Sequence, residues 1–257
     1  DRWYLEALGI AADKQWDSFF DAYLMINKNP LLKPVGRDII WRARTEKSLP
    51  FLAKLASDNQ NDLKSRLRYF RAFDFQTGTE KSKILVKMIE DNPAGNIEFK
   101  SLILNHLDTK FALQSPIAKQ TLMEVLQSVS GKVVYLDLVR RYELQGETTN
   151  LLKLAIARSN DPIGVDAARL LLELKGSAVL NDALNNSDSN QINLILTALG
   201  GVGNTESVGI LENISLQNNH NTEVREKAAE MLGKSRTGED RVLELLRTKK
   251  SPSELVP

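Results

Sequence analysis

The sequence predicts an all-α protein in which helix pairs stack into an α-solenoid. Two observations point there. One pattern occurs three times near the C-terminus, over Asp161–Leu184, Asp188–Ile214 and Asn221–Leu246, with starts 27 and 33 residues apart. Helical apolar periodicity also runs through the first half, whereas strand-like alternation is confined to Lys132–Leu136, too short to carry a sheet. A lone helix pair cannot bury its own apolar stripes, so copies must stack on one another.

The three copies align position by position. Val165, Ile192 and Val224 fall within one place of each other, Ala168, Ile195 and Ala228 coincide, and so do Leu172, Leu199 and Leu232. Spacings of three and four put these residues on one helix face. The second helices carry Leu180/Leu184, Leu211/Ile214 and Leu243/Leu246 in the same way. Asp161 before Pro162 reads as an N-cap followed by proline at the first helical position, and Asp188 and Asn221 are equivalent caps. Gly176, Gly203 and Gly238 are expected in the inter-helix turns at positive φ. Helix pairs of this length are the size of a HEAT/armadillo-like repeat.

The remainder of the chain reads as looser copies. Helices are predicted over Arg2–Ala11, Lys14–Ile26, Arg37–Arg44, Leu49–Ser57, Asp62–Phe73, Glu80–Glu90, Ile97–His106, Pro116–Val129, Val133–Tyr142 and Thr148–Arg158. Asn29-Pro30, Pro34, Asn92-Pro93-Ala94-Gly95 and Gly131 punctuate them. The expected organisation is one solenoid over 1–250, looser over 1–158 and clearer over 161–246. Residues 251–257, with Pro252 and Pro257, read as a linker tail of a longer polypeptide.

Composition narrows the chemistry. At 257 residues, 42% hydrophobic and 26% charged, the chain has the make-up of a folded domain. No run approaches the length of a membrane span, so no insertion by this segment is expected. Without cysteine there is no disulfide, thiolate nucleophile, zinc finger or covalent haem attachment in the chain. His106 and His220 are the two histidines, and both read as capping or surface residues. Gly200-Gly201-Val202-Gly203 lacks the lysine of a phosphate-binding loop and reads as a turn. No catalytic residue, metal site or cofactor is expected.

One region is chemically distinct. From Lys33 to Lys87 there are 13 Lys/Arg against 6 Asp/Glu, although the net charge of the chain is +1. Arg37, Trp41 and Arg44 share a helical face by spacing, and so do Arg68, Arg71 and Phe75. The candidate binding face is Arg37, Trp41, Arg42, Arg44, Arg68, Tyr69 and Arg71, an arginine ladder interleaved with aromatics that suits phosphate or carboxylate. The competing expectation pairs Arg42, Arg44, Arg68 and Arg71 with Asp38, Asp58, Asp62 and Asp74 inside the fold and places the aromatics in the core.

Three phrases carry a resemblance. They are Asp1-Arg2-Trp3-Tyr4-Leu5-Glu6-Ala7-Leu8-Gly9-Ile10-Ala11-Ala12-Asp13, then Gly36-Arg37-Asp38-Ile39-Ile40-Trp41-Arg42-Ala43-Arg44, then Arg68-Tyr69-Phe70-Arg71-Ala72-Phe73-Asp74-Phe75-Gln76. In that order they resemble the HEAT-like region of large planctomycete and Bacteroidetes membrane-bound, haem-binding dehydrogenase-like proteins. The resemblance implies an exported, periplasmic parent in which a sugar-dehydrogenase-like propeller precedes this region and a c-type cytochrome domain follows. It implies no catalytic residue here. The partners would be neighbouring domains of the same polypeptide or another protein.

Two other classes compete with this spacer role. HEAT-like proteins of the alkylpurine glycosylase type bind DNA, and Lys33–Lys87 with Trp41 and Asp74 is compatible with that. The acidic balance from Leu151 onward, 12 Lys/Arg against 14 Asp/Glu, weighs against nucleic acid. The other class is a free-standing adaptor holding a partner peptide in its groove.

Overall fold

A computed structural model of the chain describes residues 2–92 and 95–248. Among them the secondary structure is entirely helical, with seventeen α-helices, three 3-10 turns and no strand. Lys132–Leu136, the one strand-like stretch, lies at the start of a helix. Pro93, Ala94 and the expected linker at 251–257 lie outside the described residues.

The helices gather into two compact units, Asp1–Val129 and Ser130–Pro257. The first contains α1 (Arg2–Ala11), α2 (Trp16–Ile26), α3 (Pro34–Arg42), α4 (Leu49–Ser57), α5 (Leu63–Phe73), α6 (Glu80–Glu90), α7 (Ile97–His106), α8 (Thr109–Gln114) and α9 (Pro116–Ser128). The second contains α10 (Val133–Arg141), α11 (Thr148–Ala157), α12 (Pro162–Glu173), α13 (Ser177–Asn186), α14 (Ser189–Val202), α15 (Thr205–Leu216), α16 (Thr222–Leu232) and α17 (Arg236–Arg247).

Packing follows one rule inside each unit: many helices touch the next helix and also the one after it. In the first unit α1, α3, α5, α7 and α9 make a continuous rank, with α4 and α6 beside it. In the second, α10, α12, α14 and α16 form a rank, flanked by α11 with α13 and by α15 with α17. The buried stripes supply the reason. Ala168, Ile195 and Ala228 are all buried, as are Leu172, Leu199 and Leu232. Val165 is only half-buried, unlike Ile192 and Val224. Leu180, Leu184, Leu211 and Ile214 are buried too. The third pair departs from expectation: Leu243 and Leu246 are exposed and Leu245 faces inward.

Capping sets the helix starts. Asp161 accepts from the Ile163 and Gly164 N–H groups at 2.8 and 3.3 Å, Asp188 from Gln191 at 2.8 Å, and Asn221 from Val224 at 2.9 Å. Pro34, expected as a break, instead opens α3 at its first turn.

Glycine roles differ from expectation. Gly203 has φ +63° and ends α14 in the left-handed region, but at Gly176 that conformation belongs to the preceding Lys175. Gly238 lies inside α17, where a Cβ would come within 1.8 Å of the Leu232 carbonyl oxygen. Gly164 in α12 stands in the same relation to the Arg158 oxygen, at 1.9 Å. In the Gly200–Gly203 stretch only Gly203 turns the chain. Gly200 and Gly201 are helical and let α14 approach Met231 and Val165.

Arginine clamps the inter-helix corners. Arg66, four residues after the Asp62 cap, donates from Nε to the Ala56 oxygen at 3.1 Å. Arg225, four residues after the Asn221 cap, donates to the Ser215 oxygen at 3.3 Å. Both acceptors lie in the last turn of the preceding helix, whose carbonyls have no partner within that helix.

Candidate functional site

The basic region lies in the first unit, on α3, α5 and the segments that follow them. α3 ends at Arg42, and Ala43 turns extended with ψ 139°. Arg44 is therefore off the helix and does not share a face with Arg37 and Trp41. Likewise α5 ends at Phe73, and Phe75 lies in the turn beyond rather than on the Arg68–Arg71 face.

The arginines are for the most part used internally. Arg37 donates from Nε to the Leu31 oxygen at 2.7 Å. Arg42 pairs with Glu6 at 3.3 Å and lies against Gly9 of α1, where a Cβ would fall 2.0 Å from its Nη2. Arg68 binds Asp38 at 2.7 Å and covers the Trp41 ring. Tyr69 is buried in the core and leaves the candidate face, and burial pushes its pKa up. Arg71 is exposed; its carbonyl oxygen accepts from the Asp74 N–H, but its guanidinium meets no hydrogen-bonding or ionic partner among the described residues.

Of the pairings expected with Asp38, Asp58, Asp62 and Asp74, only Arg68–Asp38 forms. Asp58 and Asp62 accept from the backbone N–H groups of Gln60 and Ser65, at 2.9 and 2.7 Å. Asp74 binds Nδ1 of His106 at 2.8 Å. His106 in turn stacks on Phe70, with centroids 5.7 Å apart and planes 16° apart. It is thus a packed residue and not the surface or capping group its position beside Asp108 indicates. Asp108 itself caps α8 through Phe111 N–H at 2.9 Å.

Arg44 differs from the others. Its Nη1 donates to the Trp41 and Ala43 oxygens at 3.2 and 3.1 Å, and its guanidinium carbon lies 4.5 Å from the Phe75 ring centroid. No carboxylate binds it among the described residues. Burial, reinforced by the charge of Arg42 and only partly offset by Glu6, lowers its pKa to about 10.

Arg44 and Phe75 line a cleft of about 480 Å³ together with Asp17, Thr45, Glu46, Lys47, Gln76 and Thr77. The walls are internally braced: the Thr45 hydroxyl donates to Asp17, Lys47 binds Asp21, and Gln76 Nε2 donates to the Ala43 oxygen at 2.8 Å. Sequence reading missed Asp17, Thr45, Glu46, Lys47, Gln76 and Thr77; the last five simply follow Arg44 or Phe75 along the chain, whereas Asp17 on α2 reaches the cleft only through the tertiary fold.

A larger cleft of about 710 Å³ lies in the second unit along α13 and α15, lined by Asn181, Asn185, Asn213, Gln217, Glu212 and His220 among others. Several of its polar groups are already engaged: Gln217 donates to Asn213 at 2.7 Å, and Glu212 holds Arg241 through two contacts of 2.6 Å. No protein-family model, curated protein or solved structure matches this chain.

Proposed function

We propose that the chain is a HEAT/armadillo-like α-solenoid serving as a non-catalytic scaffold and interaction module. Its place is between a sugar-dehydrogenase-like propeller and a c-type cytochrome domain of a larger exported, periplasmic protein. The observation that carries this reading is the packing rule within each unit, where helices contact both the next helix and the one beyond. Such packing lets a chain grow by adding pairs and presents helix faces to other domains. Recurrent caps, the glycine contacts at Gly164 and Gly238 and the Arg66 and Arg225 clamps support the repeat reading. The three phrases in the first 76 residues support the parent protein.

Extending the reading frame on both sides in the source genome tests the spacer role. A propeller upstream and a Cys-x-x-Cys-His motif downstream is the expected result. A start codon just before Asp1 with a stop just after Pro257 overturns it.

A further inference from the structure

Arg44 keeps one edge of its guanidinium unused. Nη1 gives both its hydrogens to the Trp41 and Ala43 oxygens. Nε and Nη2 meet no acceptor among the described residues, and neither is sealed from solvent. These two nitrogens form the side-on edge, whose parallel N–H groups match the two oxygens of a carboxylate. Neighbouring Arg37, Arg66 and Arg68 each bind a protein oxygen through Nε or Nη1.

The surroundings select the anion. Asp17 and Glu46 share the cleft, and the nearby Lys47 is already matched by Asp21. Asp17 and Glu46 repel any anion that reaches Arg44, and they repel a phosphate dianion about twice as strongly as a carboxylate monoanion. Phe75 is 57% exposed, so its ring offers apolar surface beside the cation. Burial and the charge of Arg42 lower the pKa of Arg44, and Glu6 offsets them only in part.

We propose that the Arg44 cleft binds a carboxylate carried on an apolar group, with Nε and Nη2 of Arg44 holding the two oxygens and the Phe75 ring packing against the carrier. The carboxylate belongs either to a free organic acid or to an acidic peptide side chain. The site is a property of the first unit alone, so it stands or falls separately from the spacer role.

The test is a titration of the whole chain followed through arginine Nε–H resonances by NMR. The probes are phenylacetate, inorganic phosphate and a capped dipeptide with Glu beside Phe. Saturable shifts at Arg44 are expected with the carboxylates, with phosphate about tenfold weaker because its second charge is repelled by Asp17 and Glu46. Tighter binding of phenylacetate than of the dipeptide assigns the site to a free acid, and the reverse order to a peptide. Arg44→Lys keeps the charge but loses the fork and is expected to weaken carboxylate binding about tenfold. Phe75→Ala, at an exposed turn position, gives a second test if Arg44→Lys does not fold, with a weakening of several-fold expected. Dissociation constants above about 50 mM for both carboxylates, phosphate binding as tightly as phenylacetate, or full affinity in whichever of the two variants folds overturns the assignment.

Discussion

The Arg68 guanidinium carbon lies 4.2 Å from the centroid of the Trp41 ring, joining α5 to α3 through a cation–π contact. The same guanidinium binds Asp38, one turn earlier on α3, at 2.7 Å. Arg68 is therefore a fastener between two helices of one rank. The groups are over a third and about a third exposed, so each contact is modest. Arg68→Ala is expected to destabilise the chain by about 1 kcal/mol in urea unfolding. A double-mutant cycle with Trp41→Leu should give a coupling of about 0.5 kcal/mol. Zero coupling would leave the ion pair as the sole contribution.

Gly164 and Gly238 should not tolerate a methyl group. The added carbon would face a backbone oxygen at 1.9 or 1.8 Å, which no rotamer change can relieve. Gly164→Ala and Gly238→Ala are each expected to cost about 1–3 kcal/mol, the overpacking range. Gly146→Ala is the control, because nothing lies within 4 Å of its added carbon. Equal melting temperatures for all three variants would refute the close contact.

Acid should loosen the second unit through Asp161. A hydrogen bond from Arg158 is the main cause of its lowered pKa, aided by the Gly164 and Ile163 N–H groups. A carboxyl whose pKa is lower folded than unfolded contributes stability above its unfolded pKa, and that contribution disappears as pH falls through the folded one. Stability should therefore drop below about pH 4. Asp161→Asn keeps a capping oxygen but removes the titration, so the acid limb of the urea midpoint should flatten. An unchanged acid limb would show that Asp161 does not contribute to it.

Alkali should act through Tyr135. Burial raises its pKa, and the hydrogen bond and charge of Glu147, 2.7 Å away, add to the rise. The folded state holds this proton more tightly, so its stability contribution is complete below the unfolded pKa and is lost as pH rises beyond about 10. Tyr135→Phe should unfold less steeply with alkali and remove one late-titrating tyrosinate from the absorbance curve. A titration curve identical to that of the parent would contradict the assignment.

Local signals made the helices legible. Asp161, Asp188 and Asn221 announce helix starts by their own chemistry, and the apolar stripes from Ala168 to Leu232 repeat at helical spacing. α8 escaped because Thr109–Gln114 is only six residues long, too few to establish a period. Gly238 was misread because its need for smallness comes from the Leu232 oxygen, a contact that composition does not encode.

The candidate site was legible only as a region. Arg44 and Phe75 were assigned to helix faces, but α3 and α5 stop two residues before them. α3 ends two residues before its predicted Arg44, whereas α5 ends at Phe73 as predicted with Phe75 beyond it; both side chains thus leave the helical stripes, and ring and guanidinium meet. Helix ends are the least determined part of a periodic pattern, so Arg44 was misplaced by the end of α3, and Phe75 by extending the α5 face past its own end.

The arginine clamps at Arg66 and Arg225 have a mechanical consequence. Each closes a ring across a corner, from a cap-plus-four side chain to a carbonyl ten residues back. Prising α4 from α5, or α15 from α16, would strain a charge-assisted bond at the hinge before it stretched the connecting backbone. The corners are thus latched, and compliance is left to the sliding of helix faces between them.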